Sequence, residues 1–259
     1  MGKIFGKAGE FMTETVIATK DLNKNYGSKE VLKNLNVNIH SGEVVAILGP
    51  SGGGKSTFLR CLNGLEAITS GEISFHGEKL PLTDKSWHDV RPKIAMVFQS
   101  YDLFPNKTIL ENVTVGPINV QKRNQEEINK EALEWLERVG LKDRKDDYPH
   151  QLSGGQKQRV AIVRSLCMNP EVILFDEVTA SLDPENVREV LEVILELAKT
   201  NKTLVIVTHE MAFAKQVSDR ILFLADGHIV EEGPTKEFFQ TPKTKRAQAF
   251  LQSLDFSNL

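Results

Sequence analysis

Hydrophobic and polar positions along this chain follow more than one period, and the changes of period mark its predicted elements. Between residues 15 and 39 apolar and polar residues alternate, with Tyr26 and Gly27 at a break between two runs. Such alternation is typical of strands with one buried face, so the pattern predicts two antiparallel strands joined by a turn. Unbroken apolar runs predict buried strands at 44–48, 94–98, 172–175, 203–208 and 221–225.

Helical spacing of apolar residues separates some of these runs. Residues 127–139 place their apolar side chains on one face and are followed by Gly140, which predicts a helix at the start of a helical insertion. Asp183 and Pro184 are suited to the N-cap and the first position of a further helix. Asp226-Gly227, between the last two strand-like runs, predicts a hairpin turn.

Both ends of the chain are expected to lie outside the folded domain. Residues 1–13 are rich in Gly and Lys and lack the apolar centre of a signal peptide, which predicts a disordered leader or a tag. Met12 resembles a natural start, and Glu10-Phe11 is what a common cloning site encodes. The folded domain is expected at 14–254, followed by a short tail at 255–259.

Composition limits the classes of protein that fit. With 259 residues, 40% of them hydrophobic, the chain can bury one substantial core. A net charge of −3 lacks the basic excess of proteins that bind phosphate backbones, so no nucleic acid partner is expected. Cys61 and Cys167 lie far apart in helix-like apolar stretches, which favours core thiols in a reducing compartment. The apolar runs fall far short of the roughly 20 residues that a membrane-spanning helix needs.

An apolar run, a glycine-rich loop and the beginning of a helix follow one another at residues 44–57. The loop matches the phosphate-binding pattern G-x-x-x-x-G-K-S, in which glycines let backbone N–H groups turn towards a phosphate. The helix N-terminus favours anions, Lys55 is placed to reach the β- and γ-phosphates, and the Ser56 hydroxyl is placed to bind Mg²⁺. The alternative is a glycine-rich surface turn. The candidate nucleotide-binding residues are Gly49, Pro50, Ser51, Gly52, Gly53, Gly54, Lys55, Ser56 and Thr57.

Polar residues follow the other buried strands. Asp176 and Glu177 come after 172–175, the position at which P-loop ATPases hold Mg²⁺ through an aspartate; the alternative is an acidic turn. Gln99 is a surface residue unless its strand end borders a ligand, and a histidine such as His209 is more often a capping residue than a catalytic one. Tyr26 could stack on an adenine ring or fill the base of a loop.

In chain order, the candidate residues are Tyr26, the P-loop, Gln99, Leu152-Ser153-Gly154-Gly155-Gln156, Asp176-Glu177, Asp183 and His209. This set resembles the nucleotide-binding subunits of ATP-binding cassette (ABC) transporters, and the LSGGQ segment is close to diagnostic of them. The resemblance covers residues 15–254. Further stretches are similar to the polar amino acid importers of bacteria, of the glutamine, histidine and arginine type: 96–99, 103–105, 111–114, 117–118, 148–149, 209–211 and 230–234.

Two positions depart from the family pattern. Gly53 stands where Ser or another small side chain is usual, and residues 178–181 read Val-Thr-Ala-Ser where Pro-Thr-Ser-Ala is usual. Gly53 keeps its backbone N–H, so phosphate binding is expected to survive with a floppier loop before nucleotide binds. Val178 removes a proline constraint beside the candidate catalytic carboxylate, which puts the rigidity of that turn in question.

The resemblance implies an α/β fold of the P-loop NTPase, ABC-ATPase type. Its parts would be a RecA-like core, an antiparallel β subdomain and a helical subdomain inserted at about 100–168. It also implies an ATPase completed in a homodimer, in which each ATP lies between the P-loop of one subunit and residues 152–156 of the other. One subunit alone would hydrolyse ATP poorly.

The resemblance also implies a role for each site residue. Mg²⁺ would be held by Ser56, Gln99 and Asp176, and Glu177 would orient or deprotonate the attacking water. Lys55 and His209 would contact the phosphates, as would the Ser153 hydroxyl and the Gly155 N–H of the second copy. The remaining nucleotide contacts would come from Tyr26, Gly154 and Gln156, and Asp183 would link the two sites.

The implied partners are two integral membrane permease subunits, docked near residues 99–107 and the helical insertion, and indirectly an extracytoplasmic amino-acid-binding protein. The implied location is the cytoplasmic face of the inner (plasma) membrane, peripherally bound. The alternatives to an amino acid importer are an ABC ATPase for another small solute and a non-transport cassette protein. The second cassette of translation factors and the long coiled coil of chromosome-organising ATPases do not occur in this sequence. A nucleotide-binding regulator is disfavoured because Glu177 is present.

Overall fold

Ten strands of the described chain form two separate sheets. The computed structural model describes residues 14–80 and 84–254. The predicted leader at 1–13 and the tail at 255–259 lie outside the described residues. The strands are β1 Thr15–Tyr26, β2 Lys29–His40, β3 Val44–Leu48, β4 Ser70–Phe75, β5 Glu78–Lys79, β6 Ile94–Val97, β7 Val172–Asp176, β8 Thr203–Val207, β9 Arg220–Ala225 and β10 His228–Pro234.

The first sheet is antiparallel and has the strand order β2-β1-β4-β5. β1 and β2 form a hairpin in which Tyr26 pairs with Lys29 across the turn, as the alternating pattern predicts. Side chains of one face, such as Leu22 and Leu35, are buried. This face packs on the main core, so the predicted pair of amphipathic strands is confirmed.

The second sheet has the order β10-β9-β3-β8-β7-β6, and only β10 joins it antiparallel. β3, β7 and β8 are buried along their whole length, as unbroken apolar runs predict. The carboxyl ends of parallel strands meet at one edge of a sheet, and in open α/β sheets ligands bind there. The P-loop follows β3, Gln99 follows β6, Glu177 follows β7 and His209 follows β8, so all four lie along one edge.

Helices cover the second sheet and form a layer of their own between β6 and β7. Within that layer α3, α4 and α5 share one apolar cluster, which includes Val113, Ala132 and Val160. No helix of the described residues is both long and apolar enough to cross a bilayer. The helices are α1 Lys55–Leu62, α2 Asp84–Val90, α3 Ile109–Asn119, α4 Gln125–Arg138, α5 Gly154–Cys167, α6 Pro184–Ala198, α7 Met211–Val217, α8 Thr235–Gln240 and α9 Lys245–Leu254.

Both cysteines are fully buried, as their apolar surroundings predict. Cys61 lies on α1 beneath the antiparallel sheet, and Cys167 is the last residue of α5. Burial raises the pKa of each thiol to about 12. Neither thiol ionises near neutral pH, so both act as small apolar core residues.

Candidate nucleotide-binding site

The loop between β3 and α1 packs so closely on a neighbouring strand that its first position accepts only glycine. Gly49 has φ 147°, and a Cβ on it would lie 1.9 Å from the Leu224 carbonyl oxygen of β9. Gly54, with φ 99°, is the N-cap of α1 and contributes no side-chain cap. The N–H groups of the first helical turn are therefore left for a ligand, which is the arrangement that binds phosphates.

The remaining predicted loop residues line the same turn. The Gly53 N–H donates to the Pro50 carbonyl at 3.2 Å, which closes the loop. A Cβ on Gly53 would lie 3.0 Å from that oxygen and 3.2 Å from Leu224 O, so even a small side chain here would need the loop to shift. Ser51 and Gly52 form the outer part of the turn, and Ser56 and Thr57 stand half-buried in the first turn of α1.

Lys55 is only 4% exposed, and its ammonium group points back into the loop. Nζ donates to the carbonyl oxygens of Gly49 and Pro50, each at 3.0 Å. Burial lowers the pKa of Lys55, and the negative charges of Glu177 and Asp176 act in the opposite direction. A buried cation whose hydrogen-bond partners are two carbonyls, with its ion-pair carboxylate as far away as 3.9 Å, is well suited to bind an anion.

Glu177 connects the P-loop lysine to the histidine of the next strand. Its Oε1 lies 3.9 Å from Lys55 Nζ and 3.0 Å from His209 Nε2. The Glu177 N–H donates to Val207 O at 3.0 Å, which fixes the turn after β7 to the end of β8. The sequence places these three residues in separate motifs, and the fold brings them together.

Asp176 provides an acceptor suited to a metal-bound ligand. It is 4% exposed, its Oδ2 lies 3.4 Å from Arg60 Nη2, and its Oδ1 is buried without a hydrogen-bond partner in the part of the chain that the structure describes. An unsatisfied buried carboxylate oxygen is costly, and a hydrated Mg²⁺ would satisfy it. The donor set therefore fits the ion, with Ser56 and Asp176 on adjoining elements.

Gln99 lies at the same edge of the sheet, one strand away from Asp176. Its Nε2 donates to Ser181 Oγ at 2.9 Å, and the side chain is exposed. The preceding residue, Phe98, accepts a hydrogen bond at 3.1 Å from Gln158 of α5, which is fully buried. Through these two contacts the loop after β6 connects the strand edge to α5 and to the turn before α6.

The segment 152–156 forms a second cluster. Ser153 is the N-cap of α5 in a capping box with Gln156: its N–H donates to Gln156 Oε1 at 2.9 Å and its Oγ accepts from Gln156 N at 3.3 Å. Asp183 caps α6 by accepting from Asn186, which lowers the pKa of this aspartate. Asn186 Oδ1 also lies 3.4 Å from Ser153 Oγ, so it joins the two helix N-termini.

Neighbouring side chains limit the space around the two glycines of this segment. A Cβ on Gly155 would lie 2.3 Å from Asn186 Oδ1, and one on Gly154 would lie 3.0 Å from the Tyr101 hydroxyl. No hydrogen bond or ion pair between described residues joins this cluster to Lys55 or Glu177. The structure thus gathers the predicted residues into two groups on one chain.

Tyr26 lies at the end of β1 and is 47% exposed, as its turn context predicts. Sequence motifs did not indicate three residues that support the predicted ones: Arg60 beside Asp176, Asn186 between Ser153 and Asp183, and Gln158, which donates to the Phe98 carbonyl next to Gln99. The sequence could have indicated Asn186, because it is the third residue after a predicted N-cap, a position whose side chain often contacts the cap. The indication for Gln158 was weaker: it is a polar residue within an apolar helical stretch.

Comparison with known proteins identifies the family. The profile of the ABC transporter family matches residues 32–180. The arginine transport ATP-binding protein ArtM of Bacillus subtilis is 53% identical over 239 residues, which cover 92% of this chain and all of that protein. The L-cystine import ATP-binding protein TcyC of the same organism is 51% identical over 92% of this chain and 98% of its own length.

Solved structures give the same result at the level of the fold. The dimeric post-hydrolysis structure of the ATP-binding cassette MJ0796 bound to ADP and Pi has a TM-score of 0.77 and 38% identity, over 85% of this chain and 98% of that one. CbiO1 from Clostridium perfringens, part of the transporter complex cbiONQ, has a TM-score of 0.78 and 32% identity, over 95% and 97%. The chain therefore has the P-loop ABC-ATPase fold and belongs to the ABC transporter family, in which it is one of the ATP-binding ATPases.

Proposed function

We propose that this chain is the ATP-hydrolysing subunit of a bacterial importer that takes up polar amino acids. The observation that carries the proposal is the convergence of Lys55, Glu177 and His209 beside a glycine loop that opens a helix. The relatives named for arginine and L-cystine transport support the class of solute. In this proposal residues 14–254 form the ATPase domain and about 100–168 its helical subdomain.

In the proposed reaction, ATP with Mg²⁺ binds at the P-loop. The ion supplies charge neutralisation for the phosphates, and Ser56, Gln99 and Asp176 would hold it. The Lys55 ammonium stabilises the negative charge that develops at the terminal phosphate. Glu177 is a carboxylate with a histidine at 3.0 Å, so it is suited to orient a water and accept its proton. His209 stays within reach of the same phosphate.

The second cluster completes the site from another copy of the chain. Ser153 and the N-terminus of α5 provide donors for phosphate oxygens, and within one chain they contact Asn186 instead of the P-loop. We propose a head-to-tail homodimer in which residues 153–156 of each copy cover the nucleotide of the other. Asp183, beside this segment, then links the two sites.

The proposed permease contact is a cleft of about 660 Å³ beside the loop after β6. Asn112 holds this loop by donating to Phe104 O at 3.1 Å and accepting from Phe104 N at 2.7 Å. Phe104 itself is 45% exposed. Val120, which lines the same cleft, is 51% exposed. Apolar residues lining the cleft suit a short helix of a membrane subunit at the cytoplasmic face: Ala95, Met96, Phe104, Val115, Val120 and Met168.

The proposal is tested by phosphate release with MgATP, first by the purified chain and then after reconstitution with its permease subunits in vesicles. We expect slow hydrolysis by the chain alone, and hydrolysis coupled to amino acid uptake once the binding protein is added. Phe104→Ala and Val120→Asp are expected to reduce co-purification with the permease, whereas Leu65→Ala, at another exposed apolar residue, is not. A chain that neither binds nor hydrolyses ATP would refute the proposal.

A further inference from the structure

One face of the exposed Tyr26 ring is already occupied. Lys24, two residues earlier on β1, places its Nζ 4.5 Å from the ring centroid. A cation at this distance over an aromatic face is attracted by the ring quadrupole, which holds the ring in one plane. A nucleotide base can therefore stack only on the opposite face of Tyr26.

The Lys24 ammonium is held by two further contacts. Its Nζ lies 2.8 Å from Glu66 Oε2 and donates to Ala67 O at 2.8 Å, while the residue as a whole is 9% exposed. The three N–H donors of an ammonium thus have a carboxylate, a carbonyl and a ring face as partners. Burial acts to lower the pKa of Lys24, but the hydrogen bond and the charge of Glu66 outweigh it, so the pKa is raised and the charge is kept.

Glu66 ties this pair to the P-loop helix. The N–H groups of Leu65 and Glu66 donate to Arg60 O of α1, at 2.9 and 3.1 Å. The hydrogen bond from Lys24 lowers the pKa of Glu66, and burial together with a hydrogen bond to Glu66 raises the pKa of Tyr26. The ring is therefore attached, through one carboxylate, to the helix whose other end binds phosphate.

We propose that Lys24 and Glu66 are positioning residues that fix the Tyr26 ring relative to α1, so that the binding of the base depends on this triad while the binding of the phosphates does not. This inference rests on the proposed function and on the contact between Tyr26 and adenine that the sequence analysis predicts. Stacking of a base on an aromatic side chain is strong enough that its loss lowers affinity by about tenfold. Loss of the support is expected to have an effect of the same order.

The experiment measures the affinity of the full chain for ATP and for inorganic tripolyphosphate, both with Mg²⁺, by calorimetry. Tripolyphosphate presents the phosphates without a base. We expect Tyr26→Ala, Lys24→Met and Glu66→Gln each to lower the affinity for ATP about tenfold and to leave that for tripolyphosphate unchanged. Lys20→Met and Glu72→Gln, which remove exposed charges from β1 and β4, are the matched controls. Glu66→Gln is isosteric and serves as the test if Lys24→Met does not fold.

The possible outcomes distinguish the positioning inference from the proposed contact between Tyr26 and adenine. If Tyr26→Ala loses the preference for ATP but Lys24→Met and Glu66→Gln keep it, the positioning inference is overturned and the base-stacking role of Tyr26 stands. If the two variants lose affinity for both ligands equally, their role is only structural and the inference is again overturned. If Tyr26→Ala keeps the preference, the base does not stack there and the proposed adenine contact is wrong as well.

Discussion

The Glu177 backbone has φ 49°, in the left-handed region that a non-glycine residue adopts at a cost of about 1 kcal/mol. Strand β7 ends at Asp176, and the turn that follows aims the two adjacent carboxylates at different partners. Asp176 pairs with Arg60, whereas Glu177 contacts Lys55 and His209. The strained turn thus separates a carboxylate suited to a metal from one suited to a water molecule.

Glu177→Gln is expected to bind MgATP and to arrest as a stable dimer. Glutamine keeps the shape and can still bond to His209, but it cannot accept a proton from water, so turnover should fall by about 100-fold or more. Phosphate release and size-exclusion chromatography with MgATP measure the two effects. Glu78→Gln, on the short strand β5, is the control. Turnover at the wild-type rate would remove Glu177 from its proposed role.

Lys55→Ala is expected to weaken nucleotide binding by about 10- to 100-fold, because a hydrogen-bonded charge is lost from a buried site. Equilibrium titration with MgATP measures the change, and Lys20→Ala, on the exposed face of β1, is the control. Unchanged affinity would contradict the P-loop assignment. Far-ultraviolet circular dichroism separates loss of binding from loss of fold, since α1 also loses the Lys55 bonds to Gly49 and Pro50.

At the scale of elements, the strands and most helices follow from local patterns, and the exceptions have identifiable causes. Helix α3 contains Pro117, which as a single residue predicts a break rather than a helix interior. Helix α7 is short and its N-cap, Glu210, makes no side-chain cap bond, so no start signal marks it. Strand order and the close approach of Gly49 to Leu224 depend on distant parts of the chain, which local periodicity does not encode.

The two sheets are joined on one side by a histidine between two carboxylates. His76, just after β4, lies 2.7 Å from Glu14 through Nδ1 and 2.6 Å from Glu171 through Nε2. Lys93 faces the same group, 3.8 Å from Glu171 Oε1 and 5.7 Å from the Phe75 ring centroid. Hydrogen bonding to Glu171, followed by that to Glu14, raises the pKa of His76.

The stability of the protein is therefore expected to depend on pH through His76. A raised pKa in the folded state means that the stabilisation is fully present below the ordinary value near 6.5 and is lost as the pH rises through the folded value. The melting temperature of the wild type should exceed that of His76→Gln at pH 6, and the difference should shrink by pH 9. His228→Gln controls for the loss of a histidine. A difference that is constant with pH would contradict this account.

At the scale of the whole molecule, the candidate site is divided within each chain. The P-loop motif, the acidic strand end and the residues 152–156 are each readable from sequence, because each is a short pattern with its own local chemistry. Their grouping is not, because it follows from packing: Asn186 holds Ser153 near Asp183, while Glu177 joins Lys55 and His209. In the proposed head-to-tail dimer, a second copy brings the two groups together.

Mixed dimers of two inactive variants test that requirement. Lys55→Ala removes the lysine proposed to contact the phosphates, and Ser153→Arg blocks the segment proposed to cover the nucleotide, so each variant alone should hydrolyse ATP poorly. In a head-to-tail dimer containing one copy of each, one site combines the intact P-loop of one chain with the intact Ser153 of the other. Statistical pairing at equal concentrations then leaves about a quarter of the wild-type sites intact. We expect the mixture to regain phosphate release that neither variant shows. A mixture of Lys55→Ala with Glu177→Gln is the control and should regain none, because both defects lie on the P-loop side and every site in every pairing contains one of them. Equal activity of the separate and mixed variants in the first experiment would contradict the divided site.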